Sequence, residues 1–169
     1  MRIGLIDVDG HNFPNLALMK ISAYHKSQGD TVEWCLPLDK YDIVYQCKVF
    51  DETYSPDIEW IPMADKVIKG GTGYGLNNTL PDEIEHIYPD YSIYPKLTKG
   101  KSFGHLSRGC PRGVNSASCR LKKEESLIRL PTSMNFGEGR NELNFSILTF
   151  SLARSIPNCF SSLLIARLM

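Results

Sequence analysis

The sequence has no net charge: nineteen Lys and Arg offset nineteen Asp and Glu. A balanced chain carries no electrostatic footprint for nucleic acid or for an anionic membrane, so neither partner is indicated. A charged leader followed by an apolar core and a small-residue cleavage site is also missing. The chain opens on strand-like Met1-Arg-Ile-Gly-Leu-Ile, and the expected compartment is the cytoplasm. No apolar run reaches the roughly 20 residues of a membrane span, because Arg154, Pro157 and Asn158 interrupt the apolar stretch from Phe145 to Met169. No internal repeat is visible. The five cysteines, Cys35, Cys47, Cys110, Cys119 and Cys159, are odd in number and irregularly spaced. That is unlike a secreted disulfide framework, and a reduced compartment would leave them as thiols or metal ligands.

Present instead, from residue 1 to about residue 98, are short apolar runs alternating with helical or turn segments, the pattern of strands joined by crossovers. Ile3 to Val8 reads as a first strand. Asn12-Phe-Pro-Asn then supplies a cap and an early proline for a helix over Leu16 to Gln28, which carries Leu18, Ile21 and His25 on one face and stops at Gly29. His25 itself is expected at a surface or boundary position. Further strands are predicted over Thr31 to Leu36, Ile43 to Cys47 and Lys66 to Lys69, each introduced by a turn residue: Asp30, Asp42 and Asp65. The expected fold is a doubly wound, mostly parallel α/β sheet of flavodoxin-like or Rossmann-like type.

In such a sheet ligands lie beyond the carboxyl ends of the strands, which places Asp7, Asp9, His11, Gln46 and the glycine cluster Gly70, Gly71, Thr72, Gly73 along one edge. Two carboxylates and an imidazole could hold a ligand there, although Asp9 and Gly10 suit a turn equally well. The glycine cluster could form a backbone nest for a nucleotide or another small anion. It lacks the spacing of a dinucleotide fingerprint or a phosphate-binding loop, and a strand-to-helix connection explains it as well. Tyr88 to Tyr94 suits an interaction surface or, as the favoured reading, aromatics that pack a linker onto the sheet.

Near residue 104 comes Gly104-His-Leu-Ser-Arg-Gly-Cys-Pro-Arg-Gly113, with Cys110 set between glycine and proline on what reads as an exposed loop. Leu106 to Gly113 resembles the lead-in to the C-x-x-x-C-x-x-C motif of radical S-adenosylmethionine (SAM) proteins. Arg2 to Gly73 is similar to the cobalamin-binding-like domain that precedes the motif in some of them. The resemblance implies a [4Fe–4S] cluster held by three cysteines, with SAM on the fourth iron as the source of a 5′-deoxyadenosyl radical. Of those ligands only Cys110 is present, because Val114 and Ala117 stand where the other two belong. A corrinoid is not supported either: the family's D-x-H-x-x-G pattern is absent, since Asn12, Phe13 and Pro14 follow His11.

Codon possibilities account for the loss. Read one nucleotide earlier, Gly113 to Arg120 can encode C-E-F-C-I-V-S, which restores C-P-R-G-C-E-F-C, and Met134 to Arg140 and Asn144 to Arg154 also permit sensible shifted readings. The strand grammar fades at the same place, in a stretch from Val114 to Glu142 with no steady apolar period. The chain is therefore read as an α/β domain over 1–98, a linker and motif start over 99–113, and an out-of-frame tail over 114–169. The functional expectation is the N-terminal fragment of a radical SAM iron–sulfur protein that is not catalytically competent and carries no cofactor of its own. The rivals are a free-standing module for a nucleotide or small anion, and a protein interaction domain.

Overall fold

The computed structural model describes residues 1–10 and 12–104, and beyond those only short strands at 107–108, 128–129, 142–145 and 164–166. The chain divides into two units, Met1–Leu97 and Thr98–Met169. The first holds strand β1 (Arg2–Asp7), helix α1 (Leu16–Ser27), strands β2 (Thr31–Trp34), β3 (Lys40–Cys47) and β4 (Met63–Gly70), and the short helix α2 (Asp82–Glu85), followed by a 3-10 turn at Tyr91–Ile93. Its four strands form one all-parallel sheet in the order β2-β1-β3-β4. This is a mixed α/β fold. In the second unit β5 (Lys101–Gly104), β8 (Glu142–Phe145) and β9 (Leu164–Ala166) form a three-stranded sheet, and β6 (Ser107–Arg108) pairs with β7 (Ile128–Arg129).

The strand and helix signals of the sequence map onto this sheet with shifted boundaries. β3 and β4 are each longer than their apolar runs, because pairing with a neighbour extends a strand through residues such as Lys40 and Met63 that carry no strand signal themselves. α1 begins where Asn15 accepts from the Ala17 and Leu18 N–H groups and ends where Gln28 and Gly29, the latter at φ +81°, close the last turn.

Alternation along β1 decides the two faces. Ile3 and Leu5 pack with Leu18, Ile21, Cys47 and Ile84 beneath α1 and α2. Truncating a fully buried leucine such as Leu18 to alanine in such a cluster costs about 2–5 kcal/mol. On the other face Ile6, Tyr41 and Val44 are covered by Cys35, Ile58 and Trp60, residues of connecting chain. Among the described residues of this unit, helices pack on one face only.

The reason is a short crossover. Parallel strands are usually joined through a dozen or more residues, but residues 35–39 alone link β2 to β3. Gly4 makes room for it: a Cβ at this position would lie 3.0–3.2 Å from Val44, Tyr41 and Cys35. The Tyr41 hydroxyl then pins the crossover by accepting from the Leu36 N–H at 3.1 Å and donating to the Trp34 carbonyl.

His25 departs from expectation. It lies buried, with Nδ1 2.7 Å from Asp30 and Nε2 2.9 Å from the Tyr45 hydroxyl. Its position on the same helical face as Leu18 and Ile21 carries it under the sheet, where two polar partners satisfy both ring nitrogens.

Candidate functional site at the carboxyl ends of the strands

β1 lies between β2 and β3, so the chain leaves it toward one side and returns on the other. A crevice opens where such a sheet reverses direction. The end of β1 supplies Asp7, and the turn that follows supplies Asp9 and Gly10. The end of β3 supplies Cys47 and Lys48.

Asp7 accepts from the Tyr94 hydroxyl and from the side chain of Asn15, and the N–H of Gly10 also reaches it. Burial pushes its carboxyl above the ordinary range, and these bonds only partly offset that effect. Two neighbouring groups are shifted as well. Burial first, and the bond to Asp7 second, push the Tyr94 hydroxyl far up. Burial raises the Cys47 thiol to about 11, with the Asn15 side chain opposing and the Asp7 and Asp9 charges adding to the rise.

Asp9 is 8% exposed and binds the Val49 N–H through Oδ2, while its buried Oδ1 has no hydrogen-bond partner among the described residues. A buried, unsatisfied carboxylate oxygen is uncommon and costs stability. Beside it Lys48, almost wholly buried, pairs with Glu52 and lies 4.8 Å from the centroid of the Tyr74 ring. Gln46 donates to Asp57 and to the Tyr74 hydroxyl, and Lys69 reaches Asp57 at 2.8 Å. Burial alone would raise the Asp57 carboxyl, but the bonds from Lys69 and Tyr74 bring it down to about 2.

The glycine cluster joins this edge through the segment after β3. Gly73 N–H donates to the Lys48 carbonyl at 2.9 Å, and Thr72 Oγ1 donates to the Val49 carbonyl at 2.7 Å. Asp9 and Thr72 therefore hold the N–H and the C=O of the same residue, Val49. Gly71, at φ +93°, passes so close that a Cβ would collide with the Lys48 carbonyl oxygen. The N–H groups of Gly73, Tyr74 and Gly75 all donate to backbone carbonyls of the protein, and Gly70 C=O accepts from Lys48. The loop docks against its neighbour, and those amides do not converge on an open anion site.

Of the candidates from sequence, Asp7 and Asp9 lie together at the β1 end, and Gly70, Gly71, Thr72 and Gly73 come next to them through residues 48–49. His11 and Cys110 lie outside the described residues. Asn15, Cys47, Lys48 and Tyr94 were not singled out as site residues. The Asn12-Phe-Pro-Asn signal marks the start of the helix without singling out Asn15, and the tyrosine-rich stretch signals packing without indicating that Tyr94 meets Asp7, 87 residues away. Within the tyrosine-rich stretch, Tyr91 is buried and Tyr94 stacks edge-on against Trp34 at 5.1 Å, while Tyr88 remains partly exposed.

Among the described residues the free thiols are Cys35 and Cys47, fewer than the three thiolates an iron–sulfur cluster of the expected kind would need. Val114 and Ala117, like Cys110, lie outside the described residues. Burial holds the thiols of Cys35 and Cys47, in the first unit, at about 11, so both are protonated near neutral pH. Among the described residues no group of three or more His, Cys, Asp and Glu side chains gathers in a way that could hold a metal ion. Among them, too, no helix is long and apolar enough to cross a membrane.

The fold and the edge together define a class, an α/β domain with an all-parallel sheet and a polar cluster at the carboxyl ends of its central strands. In comparisons with known proteins, no family model, no curated protein and no solved structure matched the chain.

Proposed function

We propose that the first unit is the flavodoxin-like, cobalamin-binding-like domain of a radical SAM iron–sulfur protein, positioning a substrate or partner, in a chain that has lost the means to hold the cluster. The strand order β2-β1-β3-β4, all parallel, carries this reading, because it reproduces the first four strands of the flavodoxin order 2-1-3-4-5. The motif from Leu106 to Gly113 supports the assignment to the radical SAM class, and Val114 and Ala117 support loss of the chemistry. A corrinoid remains unsupported.

The rival reading, a module for a nucleotide phosphate or other small anion, fits this edge less well. Asp7 and Asp9 would repel an anion, and the glycine amides named above are already used. A neutral or cationic group that donates hydrogen bonds suits the edge better, since Asp9 Oδ1 lacks a donor. The interaction-domain reading loses support where Tyr91 and Tyr94 turn inward.

Anaerobic reconstitution with iron and sulfide, read by thiolate-to-iron absorption and by 5′-deoxyadenosine formation from SAM, tests the proposal. The 169-residue chain should form no stable cluster. The gene with one nucleotide inserted near the Gly113 codon should recover one. A stoichiometric, SAM-cleaving cluster in the unaltered chain, or none in the repaired one, would overturn the reading.

A further inference from the structure

β4 ends the four-stranded sheet, and among the described residues no strand pairs with its outer side. The direction of its backbone groups follows from one bond. Gly70 C=O accepts from Lys48 N–H, so Gly70 and, by alternation, Ile68, Lys66 and Ala64 turn their peptide groups toward β3. Asp65, Val67 and Lys69 turn theirs outward. Their side chains share one face and are exposed: Val67 at 39%, and the side chains of Asp65 and Lys69 at 66% and 50%. An open edge of this length is a template for another strand.

From this edge we infer that two copies of the chain associate by antiparallel pairing of β4 with β4, with Val67 on the twofold axis. In this register Val67 faces Val67 of the second copy, and Asp65 faces Lys69 in both directions. All are outward-directed residues, so each facing pair exchanges two backbone hydrogen bonds. Opposite charges directly across an antiparallel pair attract, and like charges repel. Centring the axis on Asp65, Lys66 or Lys69 sets like charges opposite each other, and centring it on Ile68 leaves Asp65 and Lys69 unmatched. Shifting by one residue places outward groups against inward ones. Of these registers only the one centred on Val67 sets opposite charges face to face. The arrangement also extends existing ion pairs, since Asp65 already lies 3.6 Å from Lys40 and Lys69 binds Asp57, giving a row of alternating sign across the axis. A closed twofold contact uses the β4 edge of both copies, so growth through this edge stops at a dimer.

Sedimentation velocity of the full chain over a range of concentrations tests this, with circular dichroism to check that each variant folds. The wild-type chain should be a reversible dimer. Asp65→Lys and Lys69→Asp should each weaken self-association about tenfold, as the facing pairs turn from attractive to repulsive. Mixing the two variants should restore association as a heterodimer, because one then presents only positive and the other only negative charge at the facing positions. A folding defect cannot produce rescue on mixing. A monomer at every concentration, which includes an edge covered from within the same chain, would overturn the inference, as would a dimer indifferent to both changes or variants that fail to associate when mixed.

Discussion

At the amino ends of the strands, His25 is bonded on both ring nitrogens, and the two oxygens of Asp30 are divided between His25 and the Met1 amine. Arg2 is held by Glu33 and Asp39 and lies 4.7 Å from the centroid of the Tyr41 ring. At the carboxyl ends the same residue types are arranged differently: Asp7 is buried with its carboxyl pushed up, and Asp9 keeps one oxygen without a donor. Buried polar groups with every partner in place act as structure. A buried group left short of a partner, as one oxygen of Asp9 is among the described residues, costs stability instead.

The contrast can be broken or sharpened by measurement. The largest effect should come from Gly71→Ala, which combines a left-handed backbone with a collision against Lys48 and should cost about 3 kcal/mol or more in urea unfolding. A loss below about 1 kcal/mol would mean that the glycine loop is not docked as described.

Next comes the satisfied end. His25→Ala removes a buried ring and strands the Tyr45 hydroxyl, so a loss of about 2–4 kcal/mol is expected by the same measurement. An unchanged midpoint would make His25 a surface residue after all.

Acid separates the two kinds of carboxylate. Burial would raise Asp90, but bonds from Lys26, Ser92 and Ser22 bring it to about 2. A depressed group stabilises the fold above its unfolded pKa, and the contribution, on the order of 1–2 kcal/mol, should vanish as pH falls from about 4 to about 2. Asp7 has the opposite sign. Its raised pKa favours the fold when the group is protonated and opposes it as pH rises. Asp7→Asn should therefore increase stability at pH 7 and lose that advantage below about pH 4, which unfolding curves across pH would show.

The smallest change is expected at Asp9. Asp9→Asn keeps an acceptor for the Val49 N–H and removes a buried oxygen that lacks a donor among the described residues, so stability should stay within about 1 kcal/mol of wild type. A loss as large as that at His25 would erase the distinction between the two ends.

Features carried by near neighbours were legible in advance. The apolar spacing of Leu18 and Ile21, the stop at Gly29 and the alternation of Ile3 and Leu5 all follow from local geometry and from the periods of helix and strand. These determined the α/β class and the existence of each of the first four strands. They also placed Asp7 and Asp9 at a strand end. What they could not supply was partners distant in sequence. Only the tertiary structure brought Tyr94 to Asp7, Val49 to Asp9 and Tyr45 to His25, threaded the short crossover past Gly4, and packed helices on one face of the sheet alone. A side chain's period sets the direction in which it points, whereas its role depends on what meets it there, and that is decided when distant segments pack.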